Sequence, residues 1–317
     1  MSVSRLQKVG VALGASTYGT AAASFTRGLL CSAFNITPKA DPQRVSEVRG
    51  AMSTIRLTKP VIDYDASLKF PLDTGDSTSA GLGDFLASVM GVDTKTGSNP
   101  YVHTFTRLDS ATPSWLNLYS DKDADNKQYT GFYANSVKLS ITGDAEQIDV
   151  EVAGIVKDVS ELADAQSIVF SAAPLIVPSG ASTFTIAGGA VTNFDQVDIT
   201  IFRDIQRFHP IGNSRVISAA YAKNYGIDVA MQGLQFAAET ERDKFIAMTS
   251  SAMNLILTDS ASNYLRFNFP EMFYSSWPDE SNINDTDLLR FSCGAIVTDG
   301  STPQVILQNA RATAYTA

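Results

Sequence analysis

Hydrophobic and polar residues alternate over a long run near the start of the chain. Ile62, Tyr64, Ala66, Leu68 and Phe70 are apolar, and Asp63, Asp65, Ser67 and Lys69 between them are polar, which predicts a half-buried strand. The period then changes. Leu82, Phe85, Leu86, Val89 and Met90 fall at helical spacing between Gly81 and Gly91, so a short amphipathic helix is expected over 82–90, one face covering a sheet. Strands follow at Trp115 to Ser120, at Val137, Leu139 and Ile141, and at Ile148, Val150 and Val152, with Gly143 and Asp144 turning the chain between the last two.

The same order recurs. Val197, Ile199 and Ile201 alternate with Asp198 and Thr200, and Tyr225, Ile227, Val229 and Met231 with Gly226, Asp228 and Ala230. A helix is expected from Thr240 to Thr249, with Thr240 as N-cap, Glu241 near the positive end of the dipole, and Phe245, Ile246 and Met248 toward the core. Strands follow at Asn254 to Thr258, Leu265 to Phe269 and Leu289 to Ala295. The halves share this order but almost no residue identity. The expected fold class is therefore mainly β (α+β), with two tandem β-sandwich or barrel-like units, each flanked by a short helix.

At 317 residues the chain has the length of about two domains and can bury full cores without disulfides or metals. Hydrophobic residues make up 44% and charged residues 18%, an ordinary folded composition that leaves much of the surface to neutral polar side chains. The formal charge is −9, from 24 Lys and Arg against 33 Asp and Glu, with no basic cluster. Stable nucleic-acid binding draws on counterion release by Lys and Arg, so a stable complex with DNA is not expected. Repulsion suits a surface past which DNA must slide. Cys31 and Cys293 are isolated, without CxxC spacing, and read as small buried hydrophobes in strands. The opening MSVSRLQKVGVALGAS is broken by Lys8 and glycines, and no run approaches about 18 apolar residues, so neither a secretory signal nor a membrane span is expected, and assembly should take place in a cytoplasm.

Residues 1–28 are rich in Gly, Ala, Ser and Thr and are expected to form an arm that crosses to a neighbour. The first unit is expected over 29–165, and linker strands with the second unit over 166–317; Pro174, Pro178, Gly180, Gly188 and Gly189 mark turns in the intervening segment. A polar excursion, ITPKADPQRVSEVRGAMS, separates two apolar strands, and a similar one runs from Arg207 to Ser214. Its presence in both halves favours a contact element over a mobile surface loop.

Motifs that could carry chemistry are weak. Asp121, Asp123 and Asp125 imitate the start of a calcium loop, but Asn126 replaces the turning glycine and Phe132 the bidentate Glu, so a solvated hairpin tip is expected. His103 and His209 stand alone in different halves, and His103 reads as a partly buried strand residue. No nucleophile, metalloprotease or phosphate-loop motif stands in a usable context, and GLGDF at Gly81 to Phe85 reads as a helix start. Asp63 and Asp65 share a strand face; solvent- or lumen-facing acid is the expected role rather than paired-acid catalysis. The aromatic segment Phe267 to Glu280 suits core packing or a subunit interface. No enzyme activity and no cofactor or metal are expected.

The opening GVALGASTYGT at Gly10 to Thr20 resembles the G-x-E-x-T-Y-G-T start of the tail tube (major tail) proteins of long-tailed bacteriophages, departing at Leu13 to Ala15 where an acid is usual. GLGDFLASVMG, YVHTFTR, SWLNLYSD followed by YTGFYANSVKLSIT, and the closing VILQN at Val305 to Asn309 extend the similarity in order. The resemblance implies a β-sandwich or barrel-like core with a flanking helix, forming rings whose inner strands join into a continuous barrel and stack into a tube that conducts DNA. Family members with one tube unit form hexameric rings and those with two form trimers, so a trimer is implied here. The partners so implied are copies of the chain, other phage tail proteins and passing DNA, and the location is the virion tail. By the same resemblance Arg44, Glu47 and Arg49 in the polar excursion are candidates for inter-ring contacts, and Asp63 and Asp65 for the lumen face. The alternatives are a tail terminator or decoration protein, and a carbohydrate-binding β-sandwich using Phe267 to Trp277.

Overall fold

A computed structural model describes residues 8–15, 17–40, 44–45, 56–57, 62–109, 114–121, 126–162, 164–170, 175–176, 182–192, 194–210, 217–234, 240–260, 263–277, 290–298 and 302–316. In chain order the first half forms β1 (Lys8–Leu13), β2 (Arg27–Leu29), β3 (Ala33–Ala40), β4 (Arg44–Val45), β5 (Arg56–Leu57), β6 (Ile62–Pro71), α1 (Leu82–Met90), β7 (Gly91–Thr96), β8 (Tyr101–Arg107), β9 (Leu116–Asp121), β10 (Lys127–Thr142), β11 (Asp149–Val156) and β12 (Asp158–Glu161). The second half forms β13 (Thr183–Ile186), β14 (Gly189–Ala190), β15 (Phe194–Phe208), β16 (Ala219–Leu234), α2 (Thr240–Ile246), β17 (Ser251–Ser260), β18 (Asn263–Ser276), β19 (Arg290–Val297) and β20 (Gln304–Asn309).

Antiparallel pairing joins these strands in a repeating order. One layer runs β3, β6, β11, β10 and continues without a break into β15, β16, β19, β18. In each foursome a hairpin-like pair comes first in the chain, and a helix follows its second strand. A further layer in the first half runs β2, β1, β9, β10, β12. Its counterpart in the second half runs β14, β13, β17, β18, β20, and the β7–β8 hairpin of the first half is added to β20. β10 and β18 belong to both layers of their halves. The chain order and the pairing order thus repeat together.

The alternation read along the chain sets which face is buried. Ala66, Leu68 and Phe70 of β6, Val137, Leu139 and Ile141 of β10, and Ile227, Val229 and Met231 of β16 all point into one hydrophobic core that includes residues of both halves. Burying each such side chain stabilises the fold by about 1.5–3 kcal/mol relative to leaving it exposed. In the aromatic segment of β18, Phe267 and Phe269, and then Met272 and Tyr274, are buried, the alternation being shifted by one residue at an irregularity in the pairing with β17. α1 lies between the layers, with Phe85 against Phe70 and Phe132 at ring-centroid distances of 5.3 and 6.1 Å. It ends at Gly91, whose φ of 99° is a left-handed conformation that favours glycine.

Three expectations are corrected. The stretch expected as an arm over 1–28 contributes β1 and β2 to the fold, because β1 inserts between β2 and β9 and buries Val9 and Val11, while most of the described residues between the two strands are exposed or half-buried. Cys293 is buried in β19 as expected, but Cys31 lies between β2 and β3, outside any strand, and is only partly buried; burial still pushes its thiol up to about 12. The second helix ends at Ile246 instead of Thr249 and leaves Ile246 and Met248 exposed.

A buried ionic cluster ties distant parts of the chain to α1. Asp84, fully buried in the first turn, accepts two hydrogen bonds from Arg27, at 2.8 and 2.7 Å, and one from Arg311 at 3.3 Å, and its carboxylate also accepts from the N–H of Gly81. Burial alone would raise its pKa, but the two guanidinium charges and these hydrogen bonds hold it below the usual carboxylate value. Asn309 and Tyr315 close the cluster from the C-terminal side, both bonding to Thr74 O. Asp84→Asn leaves two buried cations without a full counter-charge and should cost about 3–5 kcal/mol at neutral pH. Because the folded pKa is lowered, the Asp84 contribution is complete above about pH 4 and is lost as pH falls through the folded value. Urea midpoints measured from pH 7 down to pH 3 should therefore show wild type and variant converging in acid; a constant difference would show that Asp84 contributes no ionic stabilisation.

Candidate functional site

The side of the β3–β18 layer that faces away from the core is polar, and it is where the sequence-predicted acids lie. Period two puts Asp63, Asp65, Ser67 and Lys69 of β6 opposite Ala66, Leu68 and Phe70. The neighbouring strands add Thr37 and Lys39 of β3, Asp149 and Glu151 of β11, Lys138 of β10, Asp198 and Thr200 of β15, and Asp228 of β16. Acid is in excess, but it is interleaved with base. Lys69 Nζ sits 3.1 Å from Asp149 and 3.3 Å from Glu151, and Lys138 Nζ sits 3.3 Å from Asp198.

Asp63 and Asp65 are not free carboxylates. Toward one end of the layer β10 leaves its pairing with β15, whose last residues continue in pairing with β16. Arg207 of β15 pairs there with Asp65 and, at 3.4 Å, with Asp63; Lys39 pairs with Asp65, and His209 Nε2 lies 3.2 Å from Asp63. Partial burial works to raise the Asp65 pKa, but hydrogen bonds from Lys39 and Arg207 and their charges carry it below the usual value. Thr37, Lys39, Asp65, Ser67, Asn135 and Arg207 line an open groove of about 580 Å³. A second groove of about 380 Å³, lined by Lys138, Asp198, Thr200 and Asp228 together with apolar Ile296, lies farther along the same face.

The layer has two ends. No strand pairs with the outer edge of β3 among the described residues, and at the other end β18 runs past the last β17 pairing, Ser251 with Met272, through Ser276. Arg44 lies in the two-residue β4, paired with β5, and its side chain lies outside the described residues, as do Glu47 and Arg49 entirely. Asp123 and Asp125 of the calcium-like motif are also outside them. His103 is fully buried rather than partly: Nδ1 lies 2.9 Å from Asp93 and Nε2 3.0 Å from the carbonyl of Arg311. Among the described residues no group of three or more His, Cys, Asp or Glu side chains could hold a metal ion, and no helix is long and apolar enough to cross a membrane.

A family model described as phage tail tube protein matches residues 7–313, nearly the whole chain. The chain belongs to the phage tail tube protein family. No curated protein matches it. The tail tube protein is accordingly a structural component of the virion tail, in a family of structural proteins rather than enzymes.

Sequence reading placed Asp63 and Asp65 on one face and missed their partners. Arg207, His209 and Lys39 meet them through the packing of strands remote in sequence, Arg207 lying 144 positions from Asp63, which no local pattern encodes. Arg203 was missed as well, although its signal was present. It continues the buried series Val197, Ile199 and Ile201, and it reaches the carbonyls of Val89 in the last turn of α1, at 3.5 Å, and of Leu108 just after β8.

The Arg207 clasp involves half-buried, solvent-screened groups, with side-chain exposures of 21% for Arg207 and 27% and 33% for Asp63 and Asp65. Arg207→Ala and Asp65→Asn should each cost less than about 1 kcal/mol, and less still in high salt. Denaturant unfolding at low and high ionic strength tests this; a loss above about 2 kcal/mol would place the clasp among the structural ion pairs.

Proposed function

We infer that this tail tube protein forms rings of three chains that stack into the tube, with the polar face of the β3–β18 layer turned toward the lumen through which DNA passes. The observation that carries this reading is the doubled foursome of strands, β3, β6, β11, β10 and then β15, β16, β19, β18. One chain then supplies to a ring what two single-unit subunits would supply, and three such chains replace six. The two tail-tube-like units lie at 29–165 and 166–317, with β1 completing the first. β3 at one end and the β18 overhang at the other are the edges at which successive chains would pair, since an unpaired strand edge is a template for another strand. A contact between unlike edges is heterologous and can close into a ring.

On this reading Asp63 and Asp65 line the lumen, neutralised in part by Lys39 and Arg207, and the acid excess keeps passing DNA from binding. Arg44, Glu47 and Arg49 belong to the excursion that contacts the next ring. Other tail proteins meet the ends of the tube, and the rings assemble in the host cytoplasm.

Negative-stain electron microscopy, with light scattering for subunit number, tests the reading. Hollow rings or tubes with three chains per ring are expected. Six chains per ring would overturn the doubled-unit part of the reading, and closed oligomers that never stack would favour a terminator or decoration role. Reversing charge at Arg44 and Arg49 together should reduce tube length at least several-fold while leaving the melting temperature of the subunit unchanged; tubes of normal length would remove these residues from the inter-ring contact.

A further inference from the structure

α1 and α2 follow equivalent strands in the two halves but end in different surroundings. Every residue of α1 is buried. The helix lies over the seam where the first foursome meets the second: Ser88 Oγ accepts a hydrogen bond from Ala134 N of β10 at 3.1 Å, and Val89 O accepts one from Arg203 of β15. Beneath it the core-facing residues of β15, Val197, Ile199, Ile201 and Arg203, are all buried.

α2 packs on β18 as α1 packs on β10. No second-half strand among the described residues takes the place that β15 has beside α1, and Ile246 and Met248 are 64% and 70% exposed. The complementary gap is at the other end of the same layer. β3 is the counterpart of β15, and its core-facing positions run from Phe34, which is buried, through half-buried Ile36 to exposed Pro38 and Ala40. Each end of the chain therefore carries half of a seam that is complete only in the middle.

The geometry points to α2 as a docking element for a second copy of this chain: Ile246 and Met248 cover the Ile36, Pro38 and Ala40 face of β3 in the next chain, as α1 covers β15 within one chain. This rests on the ring reading above and names the surface that reading leaves open. The large exposed apolar side chains at one end and the uncovered apolar strand face at the other are of matching chemistry, and the internal seam shows how a helix of this fold seats on such a strand.

The test uses Ile246→Cys alone, Ala40→Cys alone and the two together in the full chain, with the parent protein and its native Cys31 and Cys293 as the blank. Both substituted positions are exposed in the single chain, so folding should be unaffected. In assembled particles of the Ile246→Cys variant the introduced thiol should react with a maleimide at least tenfold more slowly than in dissociated subunits. A short bismaleimide should give a ladder of covalently linked chains with the double variant and none with either single variant. Assembled rings in which the thiol introduced by Ile246→Cys labels at the free-subunit rate, or in which the double variant gives no ladder, would overturn the docking of α2 and leave the ring reading standing. A protein that stays monomeric at high concentration, with or without the substitutions, would overturn the ring reading itself.

Discussion

The backbone hydrogen bonding of β10 is the constraint on which the rest of the structure depends. A buried strand must satisfy N–H and C=O groups along both edges, and β10 does so with different partners over its two lengths. Lys127 to Thr130 lie between β9 and β12, and Ser136 to Ser140 between β11 and β15. The change of layer occurs at Gly131, whose φ of 65° is left-handed, and at the bulge between Ala134 and Ser136. By serving two layers, β10 creates the space that α1 fills and provides the edge on which the second half is built. β18 repeats the device, with a bulge between Tyr274 and Ser276.

The Asp84 cluster performs a second task that pairing cannot. Strand ladders fix neighbours, but they do not specify how the two ends of a chain return to one place. Arg27 comes from β2, Asp84 from α1 and Arg311 from the segment after β20, so a single carboxylate fixes three remote segments by geometry. An apolar replacement could bury as much surface, but it would lack the directed, charge-assisted hydrogen bonds that Asp84 accepts from Arg27 and Arg311. Here the desolvation cost is offset only when all partners arrive, and Arg311 brings the segment after β20 to the same carboxylate that holds Arg27 of β2.

Much of the fold was legible because alternation reports faces directly. Ala66, Leu68 and Phe70, and Val197, Ile199 and Ile201, were placed correctly from period alone, as were the bounds of α1 from its spacing and its two glycines, although the helix expected to cover a sheet with one face is buried on every side. Period two says which side is buried and not which strand lies beside it. That is why the β20 pairing with β8, and the meeting of Arg207 with Asp63, were not foreseen. The small residues of the first 28 suggested an arm because composition cannot show that Val9 and Val11 slot between β2 and β9. Asp84 was read as a helix-start residue, which it is, but its buried partners lie far away in sequence.

The electrostatics of the polar face bear on how a tube of this protein would treat DNA. A wall of unpaired carboxylates would repel a polyanion strongly but would also destabilise the ring through mutual repulsion, and a basic wall would hold the DNA. The face here has Lys39, Lys69, Lys138 and Arg207 set among its acids at ion-pair distances. Each pair is nearly neutral beyond a Debye length of roughly 8 Å at physiological salt. What remains is a modest excess of negative charge spread over neutral Ser and Thr, which, on the ring reading proposed above, would deny phosphate a seat. If this face does line a lumen, stability and low affinity for DNA are compatible on it, because the first depends on pairs at contact distance and the second on the net field farther out.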